Sequence, residues 1–292
     1  MNSFAIIITH YGDVKKTEAC VRSISEQEYG NYQIVVIDNS NNFSSSDNSV
    51  LICSNENRGY GNAVNVGIKK ALELGFENFL IMNNDLILER NFLSEFFAAF
   101  DVSDKIIAVP RIHYASGKNK IWFNGGYVSR TFWEGVHKDI DKEISKVQIP
   151  QNAENIDFFT GACFFINRET YETIGEFDET FFLYYEDLDY SLKAAREGVK
   201  IIYVPSAVCY HDVSFSTSRK NGLLKFGKKI YYYRIRNKMI ILKRYSSFPA
   251  NLIAWSSLIV KFSKYFFGFL ILMKKDELLC AVKGLADGFK EN

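Results

Sequence analysis

The sequence predicts an α/β protein with a mostly parallel central sheet flanked by helices, followed by a C-terminal helical extension. Two observations favour this class. Strand-like apolar runs alternate with helical patterns over the first 110 residues, which is typical of parallel sheets covered by helices. The charge then changes abruptly, since residues 1–212 carry 19 Lys/Arg and 30 Asp/Glu, whereas residues 213–275 carry 14 Lys/Arg and no acidic residue. We therefore expect a sheet domain over residues 1–215 and a basic, aromatic, helical region over residues 216–292.

The individual elements follow from the spacing of the apolar residues. Uninterrupted apolar runs predict buried strands at 4–9, 32–37, 50–53, 79–82, 158–166 and 200–204. Apolar residues at helical spacing predict helices at 15–27, at 61–74 and within 180–195. Pro205 is expected to end the last strand, because proline cannot donate a ladder hydrogen bond. Residues 105–150 show no regular period and are expected to be irregular.

The bulk composition limits the class of protein. Apolar residues make up 47% and aromatic residues 15% of the 292 residues, enough for a buried core without disulfide bonds. The five cysteines form no Cys-x-x-Cys pair and their number is odd, which argues against a zinc site or a secreted disulfide framework and for a reducing cytoplasm. The N-terminus has no basic segment, and its apolar run is too short for a signal peptide.

Polar residues stand at the ends of three predicted strands. They are Thr9-His10, Asp38-Asn39 and Asn83-Asn84-Asp85. In open α/β sheets ligands bind beyond the carboxyl ends of the strands, so we expect the functional site at this edge. Asp85 with a neighbouring amide oxygen offers a modest site for a hard divalent cation. The alternative is a simple turn, since Asn and Asp favour turns.

Three further clusters contain residue types that are common in ligand-binding or catalytic sites. Residues 57–67 supply glycines at the start of a helix, where backbone amides attract phosphate, although the Lys of a Walker loop is missing. Glu186, Asp187 and Asp189 repel one another unless a metal or a proton-transfer role compensates. On a helix, Glu186 and Asp189 would share a face and Asp187 would point elsewhere; a charged helix N-terminus is the alternative. His211 is a candidate metal ligand or else a structural histidine.

In their order and spacing these clusters resemble the family 2 glycosyltransferases, which have the GT-A fold, and most closely the rhamnosyltransferase-like branch. The resemblance runs from about residue 6 to residue 244. The matching motifs are Val36-Ile37-Asp38-Asn39-Ser40, Asn57-x-Gly59-x-Gly61-x-x-x-Asn65, Met82-Asn83-Asn84-Asp85, Phe123-Asn124-Gly125-Gly126, Phe159-Thr160-Gly161-Ala162, Gly175-x-Phe177-Asp178-x-x-Phe181, Tyr185-Glu186-Asp187-Leu188-Asp189 and Tyr210-His211. One position departs from the family pattern, because Asn83 replaces the first Asp of the Asp-x-Asp motif.

The resemblance implies roles for individual residues. It assigns donor binding to Thr9, Asp38, Asn39, Asn57, Gly61, Asn65, Asn83 and Asn84. It assigns Mg²⁺ or Mn²⁺, together with the donor diphosphate, to Asp85 and His211. It makes Asp187 the general base and makes Glu186 and Asp189 supporting catalytic carboxylates near the acceptor. It places Trp122, Gly125 and Gly126 against the donor sugar or the acceptor.

The implied activity is an inverting, metal-dependent sugar transfer in bacterial surface polysaccharide synthesis, carried out by a catalytic domain over residues 1–215. The expected donor is dTDP-rhamnose, with UDP-galactofuranose or another UDP-hexose as the alternative, and the expected acceptor is a glycan or a lipid-linked glycan. A sugar nucleotidyltransferase is a second enzyme class, but Thr9-His10-Tyr11-Gly12 lacks its glycine-rich, basic first loop. A non-catalytic glycan-binding scaffold is the third class, but the presence of Asp85, Asp187 and His211 counts against it.

The basic, aromatic segment 219–244 suggests contact with an anionic membrane surface rather than with nucleic acid. In the next segment, 252–273, apolar residues follow helical spacing but Lys261 and Lys264 interrupt them, which favours an amphipathic helix in the membrane interface. Packing on the domain or in a homodimer is the alternative. We expect a cytoplasmic protein, peripheral at the inner face of the cell membrane. The sequence gives no role for the Arg236-Asn237 pair, which recurs in the branch that the chain resembles.

Overall fold

The computed structural model describes residues 3–45, 50–54, 56–212, 229–247 and 251–291. Within these ranges the strands are β1 (Phe4–His10), β2 (Tyr32–Asp38), β3 (Val50–Ser54), β4 (Asn78–Asn83), β5 (Leu86–Leu88), β6 (Ile106–Tyr114), β7 (Gly117–Phe123), β8 (Gly126–Ser129), β9 (Glu134–His137), β10 (Glu154–Ile156), β11 (Cys163–Asn167) and β12 (Lys200–His211). The helices are α1 (Val14–Ser25), α2 (Tyr60–Glu73), α3 (Phe92–Phe97), α4 (Arg168–Ile174), α5 (Glu186–Arg196), α6 (Lys229–Tyr245), α7 (Leu252–Ile271) and α8 (Lys275–Lys290).

A ten-stranded sheet forms the centre of the fold, in the order β10-β12-β6-β11-β4-β1-β2-β3, with β5 paired to β12 and β7 to β6. Strands β4, β1, β2 and β3 are mutually parallel, and β11 runs antiparallel between β4 and β6. Every residue of β1 is buried, as expected for a parallel strand covered on both faces. The predicted α/β class with a mostly parallel sheet and flanking helices is confirmed.

The strand register brings the polar strand ends together at one edge of the sheet. Thr9 pairs with Asn83 across β1 and β4, and His10 pairs with Asp38 across β1 and β2. These residues lie at the carboxyl ends of parallel strands, where open α/β sheets bind ligands. The sheet therefore presents the sequence-predicted edge as the place for a site.

Three element predictions are corrected. Residues 105–150 are not irregular but contain β6 to β9, and β6 pairs in parallel with β12 in the centre of the sheet. Strand β12 continues past Pro205 to His211, because a register shift between Val204 and Val208 accommodates the missing ladder donor. The strand predicted at 158–166 begins only at Cys163, and the residues before it form a loop.

The three C-terminal helices pack on the sheet domain and on one another. Helix α6 buries Ile235 and Met239, and α8 approaches it so closely that a Cβ on Gly284 would lie 2.5 Å from the Tyr232 carbonyl oxygen. Helix α7 buries one face and exposes apolar residues on the other. No helix in the described ranges is long and apolar enough to cross a membrane. The predicted boundary at residue 215 and residues 219–228 of the basic segment lie outside the described residues.

Candidate active site

A cavity of about 500 Å³ opens at the carboxyl edge of the sheet. Its walls come from the ends of β4, β7, β9 and β12, from the loop before β11, from the start of α5 and from helices α6 and α7. Five sequence-predicted site residues line it, namely Asn83, Trp122, Glu186, Asp187 and His211. The fold thus brings into one cavity residues that are up to 128 positions apart in the chain.

Asp85 joins this group through His211. Its Oδ1 lies 2.9 Å from Nε2 of His211, because β5, directly after Asp85, pairs antiparallel with the end of β12. Lys16 Nζ lies 4.0 Å from the other Asp85 oxygen and 3.2 Å from the carboxylate of Asp212. Withdrawal from solvent favours a raised pKa for Asp85, but His211 and Lys16 outweigh it and hold the pKa below its usual value. Asp85 is therefore ionised at neutral pH.

Asp85 and His211 are hydrogen-bonded to each other at 2.9 Å. A carboxylate and an imidazole are both groups that bind divalent metals, so this pair could supply two adjacent ligands. Among the described residues, no group of three or more His, Cys, Asp or Glu side chains could hold a metal ion. The protein would thus supply two donors and leave the remaining positions to other oxygen ligands.

Glu186 and Asp187 begin α5 and face the cavity side by side. The Asp187 carboxylate accepts hydrogen bonds from the backbone N–H of Leu188 at 2.9 Å and of Gly161 at 3.5 Å, whereas Glu186 Oε2 is buried with no hydrogen-bond partner among the described residues. Burial raises the pKa of Asp187 to about 6, although these amides oppose the shift. Burial, reinforced by the charge of Asp187, raises the pKa of Glu186 to about 8. At neutral pH the ionised Asp187 therefore lies beside a protonated Glu186, an arrangement in which two neighbouring carboxyl groups have different protonation states.

Asp189 does not share this environment. Its side chain is 1% exposed and interacts with Lys193 at 3.2 Å, Arg244 at 3.2 Å and the Tyr245 hydroxyl at 2.8 Å. The expectation that Glu186 and Asp189 share a face while Asp187 points elsewhere is wrong. The reason is that the first two residues of α5 face the cavity, whereas residue 189 lies on the side that packs against α6. Asp189 ties these two helices together and does not line the cavity.

The loop that leads into α5 has an unusual backbone. Tyr184 and Tyr185 are consecutive residues with positive φ angles of 69° and 73°. A left-handed conformation costs a non-glycine residue about 1–2 kcal/mol, so two in succession persist only where neighbouring structure holds them. Because Glu186 and Asp187 follow directly, the direction of both carboxyl groups depends on this strained pair.

Arg236 and Asn237 of α6 hold the strained loop. The fully buried Asn237 amide donates to the carbonyl oxygens of Leu183 and Tyr184, both at 2.9 Å. Arg236 donates to the Thr180 carbonyl at 2.9 Å and to Asn237 Oδ1 at 3.0 Å. The structure thereby assigns a positioning role to the pair that the sequence left unexplained. The sequence pointed to this pair only through its resemblance to a pair that recurs in the related branch of the family.

Trp122 stands between two histidines in the cavity wall. Its ring centroid lies 4.6 Å from that of His137 and 4.5 Å from that of His211, with both ring pairs nearly perpendicular. His137 Nδ1 lies 3.0 Å from the Trp122 carbonyl oxygen, so Nδ1 carries the proton and Nε2 is an acceptor. Burial lowers the pKa of His137 to about 4, which keeps the ring neutral. His137 was not predicted as a site residue because it lies in the stretch that was expected to be irregular.

Gly125 and Gly126 do not line the cavity, contrary to the expectation that they face sugar. Both are buried: Gly125, which has a φ of +80°, lies in the turn between β7 and β8, and Gly126 is the first residue of β8. A Cβ on Gly126 would lie 2.8 Å from the ring of Phe158, which is itself a lining residue. The glycines therefore shape the cavity wall through the close approach of Phe158.

The predicted donor-binding residues of the first two strand ends are mostly engaged within the protein. Asp38 is 1% exposed, and its carboxylate accepts three backbone N–H bonds from the turn at residues 40–43. Asn84 is buried against His10 and Thr17. Thr9 donates to Asn83 Oδ1 at 3.4 Å. Asp38 and Asn84 thus order the loops beside the cavity, and Asn83 presents the polar group that lines it.

The predicted residues of the glycine-rich segment fix a loop instead of lining the cavity. Asn65 makes two hydrogen bonds of 2.9 Å to the backbone of Phe177, and a Cβ on Gly61 would lie 3.2 Å from the same residue. This fastens the chain before α5 to helix α2. Asn57 is exposed, and Asn39 is half-buried at the end of β2. Donor binding by Asn39 and Asn57 stays a prediction.

Comparison with known proteins gives the family context. A family model described as "Glycosyltransferase like family 2" matches residues 2–225. The chain is 24% identical over 251 residues to the dTDP-rhamnosyl transferase RfbF of Shigella flexneri, covering 83% of this chain and 80% of the relative. It is 24% identical over 299 residues to the low-salt glycan biosynthesis hexosyltransferase Agl10 of Haloferax volcanii, covering 99% and 92%.

Solved structures support the fold alone, because their sequence identity is low. GalNAc-T7, crystallised with UDP, GalNAc and Mn²⁺, aligns with a TM-score of 0.63 at 16% identity over 82% of this chain, and this chain spans 48% of that one. A fragment of S. aureus TarS comprising residues 1–349 aligns with a TM-score of 0.55 at 15% identity over 98% of this chain and 80% of the fragment. These neighbours, together with the sheet topology, confirm the GT-A fold.

Proposed function

Since the chain belongs to glycosyltransferase family 2, we propose that it transfers a sugar from a nucleoside-diphosphate donor to an acceptor hydroxyl with inversion. One observation carries the proposal. Asp187, the end of β12 at His211 and the end of β4 at Asn83 meet in one cavity at the carboxyl edge of the sheet. This arrangement provides a base and a site for a leaving diphosphate within one enclosure.

Asp187 is the proposed general base. It is ionised at neutral pH, and its raised pKa brings it closer to the value at which proton transfer is most efficient. It would take the proton from the acceptor hydroxyl as that oxygen attacks the anomeric carbon and the bond to the diphosphate breaks. Glu186, protonated in the same pH range, would donate a hydrogen bond to an oxygen of a bound sugar.

We propose Mg²⁺ or Mn²⁺ as the cofactor, held by Asp85 and His211. When bound, the metal would neutralise negative charge on the leaving diphosphate. The adjacency of a carboxylate and an imidazole at the carboxyl edge of the sheet supports this assignment, as does the Mn²⁺ in the crystals of the GT-A neighbour GalNAc-T7. Asn83, at the end of β4, would contribute an amide oxygen or a hydrogen bond to the donor.

We propose dTDP-rhamnose as the donor, supported by the similarity to a dTDP-rhamnosyl transferase. A UDP-hexose is the alternative, supported by the relative that is named a hexosyltransferase. A thermal-shift screen of dTDP-rhamnose, UDP-galactose, UDP-galactofuranose and UDP-N-acetylglucosamine, with and without Mn²⁺, separates them, because a ligand of the folded state raises its stability. Release of free sugar from the stabilising donor would exclude a glycan-binding scaffold, and absence of stabilisation by every donor would contradict the proposal.

Helix α7 supports a proposed peripheral contact with the membrane. Its outward face exposes Ile259, Val260, Phe267 and Ile271, each at least 60% accessible, next to the exposed Lys264. Apolar residues flanked by lysine suit the interface of an anionic bilayer. Flotation with phosphatidylglycerol vesicles should recover the protein, and Phe267→Asp should release it. Equal recovery of both forms, or a concentration-dependent dimer that Phe267→Asp dissociates, would assign this face to another role.

A further inference from the structure

Tyr60, the first residue of α2, lines the cavity together with the proposed base. Its hydroxyl donates a hydrogen bond to the carbonyl oxygen of Gly161, and its backbone N–H donates to the carbonyl oxygen of Phe182 at 3.1 Å. Burial raises the pKa of Tyr60 well above its usual value, and the charges of Glu186 and Asp187 reinforce this shift. The hydroxyl therefore keeps its proton at neutral pH and remains a hydrogen-bond donor.

Gly161 is the link between this hydroxyl and Asp187. Its N–H donates to Oδ2 of Asp187 at 3.5 Å, while its carbonyl group accepts from Tyr60. A Cβ on Gly161 would lie 3.1 Å from the Tyr60 ring, so the ring packs against this residue as well. Glycine has more accessible backbone conformations than other residues, and the contacts with Tyr60 restrict them at this position. The direction of the N–H that Asp187 accepts thus depends on Tyr60.

The residues on either side of Gly161 are held by other contacts. The N–H of Ala162 donates to Oγ1 of Thr160 at 3.3 Å, and the carbonyl oxygen of Ala162 accepts from the N–H of Asn83 at 2.9 Å. These bonds tie the turn to the end of β4, but they involve neither the N–H nor the carbonyl group of Gly161. The hydroxyl of Tyr60 therefore supplies a restraint at Gly161 that its neighbours do not.

The hydrogen bond from Gly161 also acts on the protonation of Asp187. Backbone N–H groups that point at a carboxylate stabilise its ionised form. Burial raises the pKa of Asp187 to about 6, and the N–H of Gly161 opposes this shift more strongly than the N–H of Leu188 does. Loss of the bond from Gly161 would therefore raise the pKa further and leave less of Asp187 ionised at neutral pH.

We propose that Tyr60 is a positioning residue for Asp187, and that it acts by holding the Gly161 turn whose N–H binds the carboxylate. The inference rests on the proposed role of Asp187 as the base and adds a side chain that orients it. Asn237 restrains the loop before α5, whereas Tyr60 acts on the carboxylate through one of its hydrogen-bond donors. The turn before β11 thus connects the first residue of α2 to the base on α5.

Other ionisable groups face the same cavity. They lie on α5 and the loop before it, on β9 and β12, and on α6 and α7; they are Tyr184, Tyr185, Glu186, Glu134, His137, His211, Arg234 and Lys261. Tyr60→Phe changes none of them, because it removes one oxygen atom and keeps the ring. A difference between the wild type and Tyr60→Phe therefore reports the loss of the hydroxyl.

The test follows the Gly161 amide by NMR in EDTA, without donor or acceptor. Thr160-Gly161 is the single Thr-Gly sequence of the chain. Threonine labelled with ¹³C at its carbonyl group and glycine labelled with ¹⁵N therefore give one amide signal that correlates with both labels. Its chemical shift should change as the pH rises through about 6, where Asp187 ionises, and this step should be absent in Asp187→Asn.

In Tyr60→Phe we expect the midpoint of this step to rise by about 0.5–1, because the carboxylate loses part or all of one N–H bond. The matched control is Tyr32→Phe at the amino end of β2, which removes a hydroxyl bond of 2.9 Å to the Ile24 carbonyl. It should leave the midpoint unchanged. In the active enzyme, the fall of kcat at low pH should move to a higher pH by the same amount in Tyr60→Phe, while the KM for the donor stays within about twofold.

The same titration can overturn the inference. An equal midpoint in the wild type and Tyr60→Phe would do so, as would an equal change in Tyr60→Phe and Tyr32→Phe. A wild-type Gly161 signal without the step, or a step that persists in Asp187→Asn, would also overturn it, because the N–H would then not bind the Asp187 carboxylate. The titration needs no turnover, so it is independent of the transferase function, which stabilisation by a donor with Mn²⁺ tests separately.

Discussion

Asn237→Ala is the most informative perturbation of the loop that leads to Asp187, the proposed base. Asn237 does not itself line the cavity, yet its amide donates hydrogen bonds of 2.9 Å to the carbonyl oxygens of Leu183 and Tyr184, two residues that do. Alanine removes both donors and leaves the helix intact. The strained residues Tyr184 and Tyr185 then lose the contacts that oppose their relaxation.

The magnitude follows from the two hydrogen bonds. A buried carbonyl left without a donor costs about 1–3 kcal/mol, so the loss is about 1–3 kcal/mol if water reaches one of the two and about 2–6 kcal/mol if it reaches neither. Relaxation of the left-handed pair would favour other loop conformations by a further 1–2 kcal/mol or so per residue. If the loop conformation seen in the structure becomes less stable than its alternatives by about 2–4 kcal/mol, the fraction of molecules that adopt it falls about 30-fold to several hundred-fold.

The assay is steady-state kinetics well below the melting temperature, with donor and acceptor varied separately. We expect kcat to fall at least about tenfold while the KM for the donor stays within about twofold. Asn237→Asp keeps the side-chain size but presents oxygen to the two carbonyls, so it should be no better than alanine. Asn91→Ala, an exposed asparagine, serves as the control. Unchanged kcat in Asn237→Ala, or near-native activity in Asn237→Asp, would refute the positioning role.

Four further predictions follow from the carboxylates and the metal pair. Asp187→Asn should lower kcat by about 10²–10⁴ while the donor still stabilises the protein; unchanged turnover would exclude it as the base. The wild-type rate should fall as pH drops through about 6, where Asp187 becomes protonated, and a flat profile down to pH of about 4.5 would contradict this. Folded Glu186 retains a proton that the unfolded chain releases, so wild-type stability should decrease as pH rises from the ordinary glutamate value of 4.5 to about 8. The melting-temperature advantage of Glu186→Gln should therefore grow over that range, and a constant difference would argue against a protonated Glu186. His211→Ala should raise the Mn²⁺ concentration for half-maximal activity at least about tenfold, and an unchanged Mn²⁺ titration would remove His211 from the metal site.

The parts of the fold that the sequence predicts are those whose signals are local. Strands β1, β2 and β4 are buried on both faces and therefore form uninterrupted apolar runs. Strand β7 gives no such signal, because Gly117, Lys118, Asn119 and Lys120 precede its buried residues. Strand β12 was cut short at Pro205, since the bulge that accommodates the proline depends on pairing with β6, about 95 residues earlier. Long-range pairing of this kind leaves no local pattern.

In the candidate site too, some features are predictable from local sequence signals and others are not. The carboxyl ends of parallel strands predict where the site lies, and the polar residues there are readable directly. The orientation of Asp189 was not predictable, because it is set by Arg244 and Tyr245 on a helix some 55 residues later. His137 was missed for a related reason, since its tautomer depends on the carbonyl of Trp122 across the β7–β9 region.

These long-range contacts make the C-terminal helices part of the site rather than an appendage. Helix α6 contributes Asn237 to the loop that aims Asp187, and Arg236 anchors the same loop at Thr180. Helix α7 contributes Lys261 to the cavity wall. A sheet domain ending near residue 215 would contain the polar strand ends but would lack the contacts that hold the two strained tyrosines. The position of Glu186 and Asp187 therefore depends on α6, and α7 completes the wall of the cavity that the two carboxyl groups face.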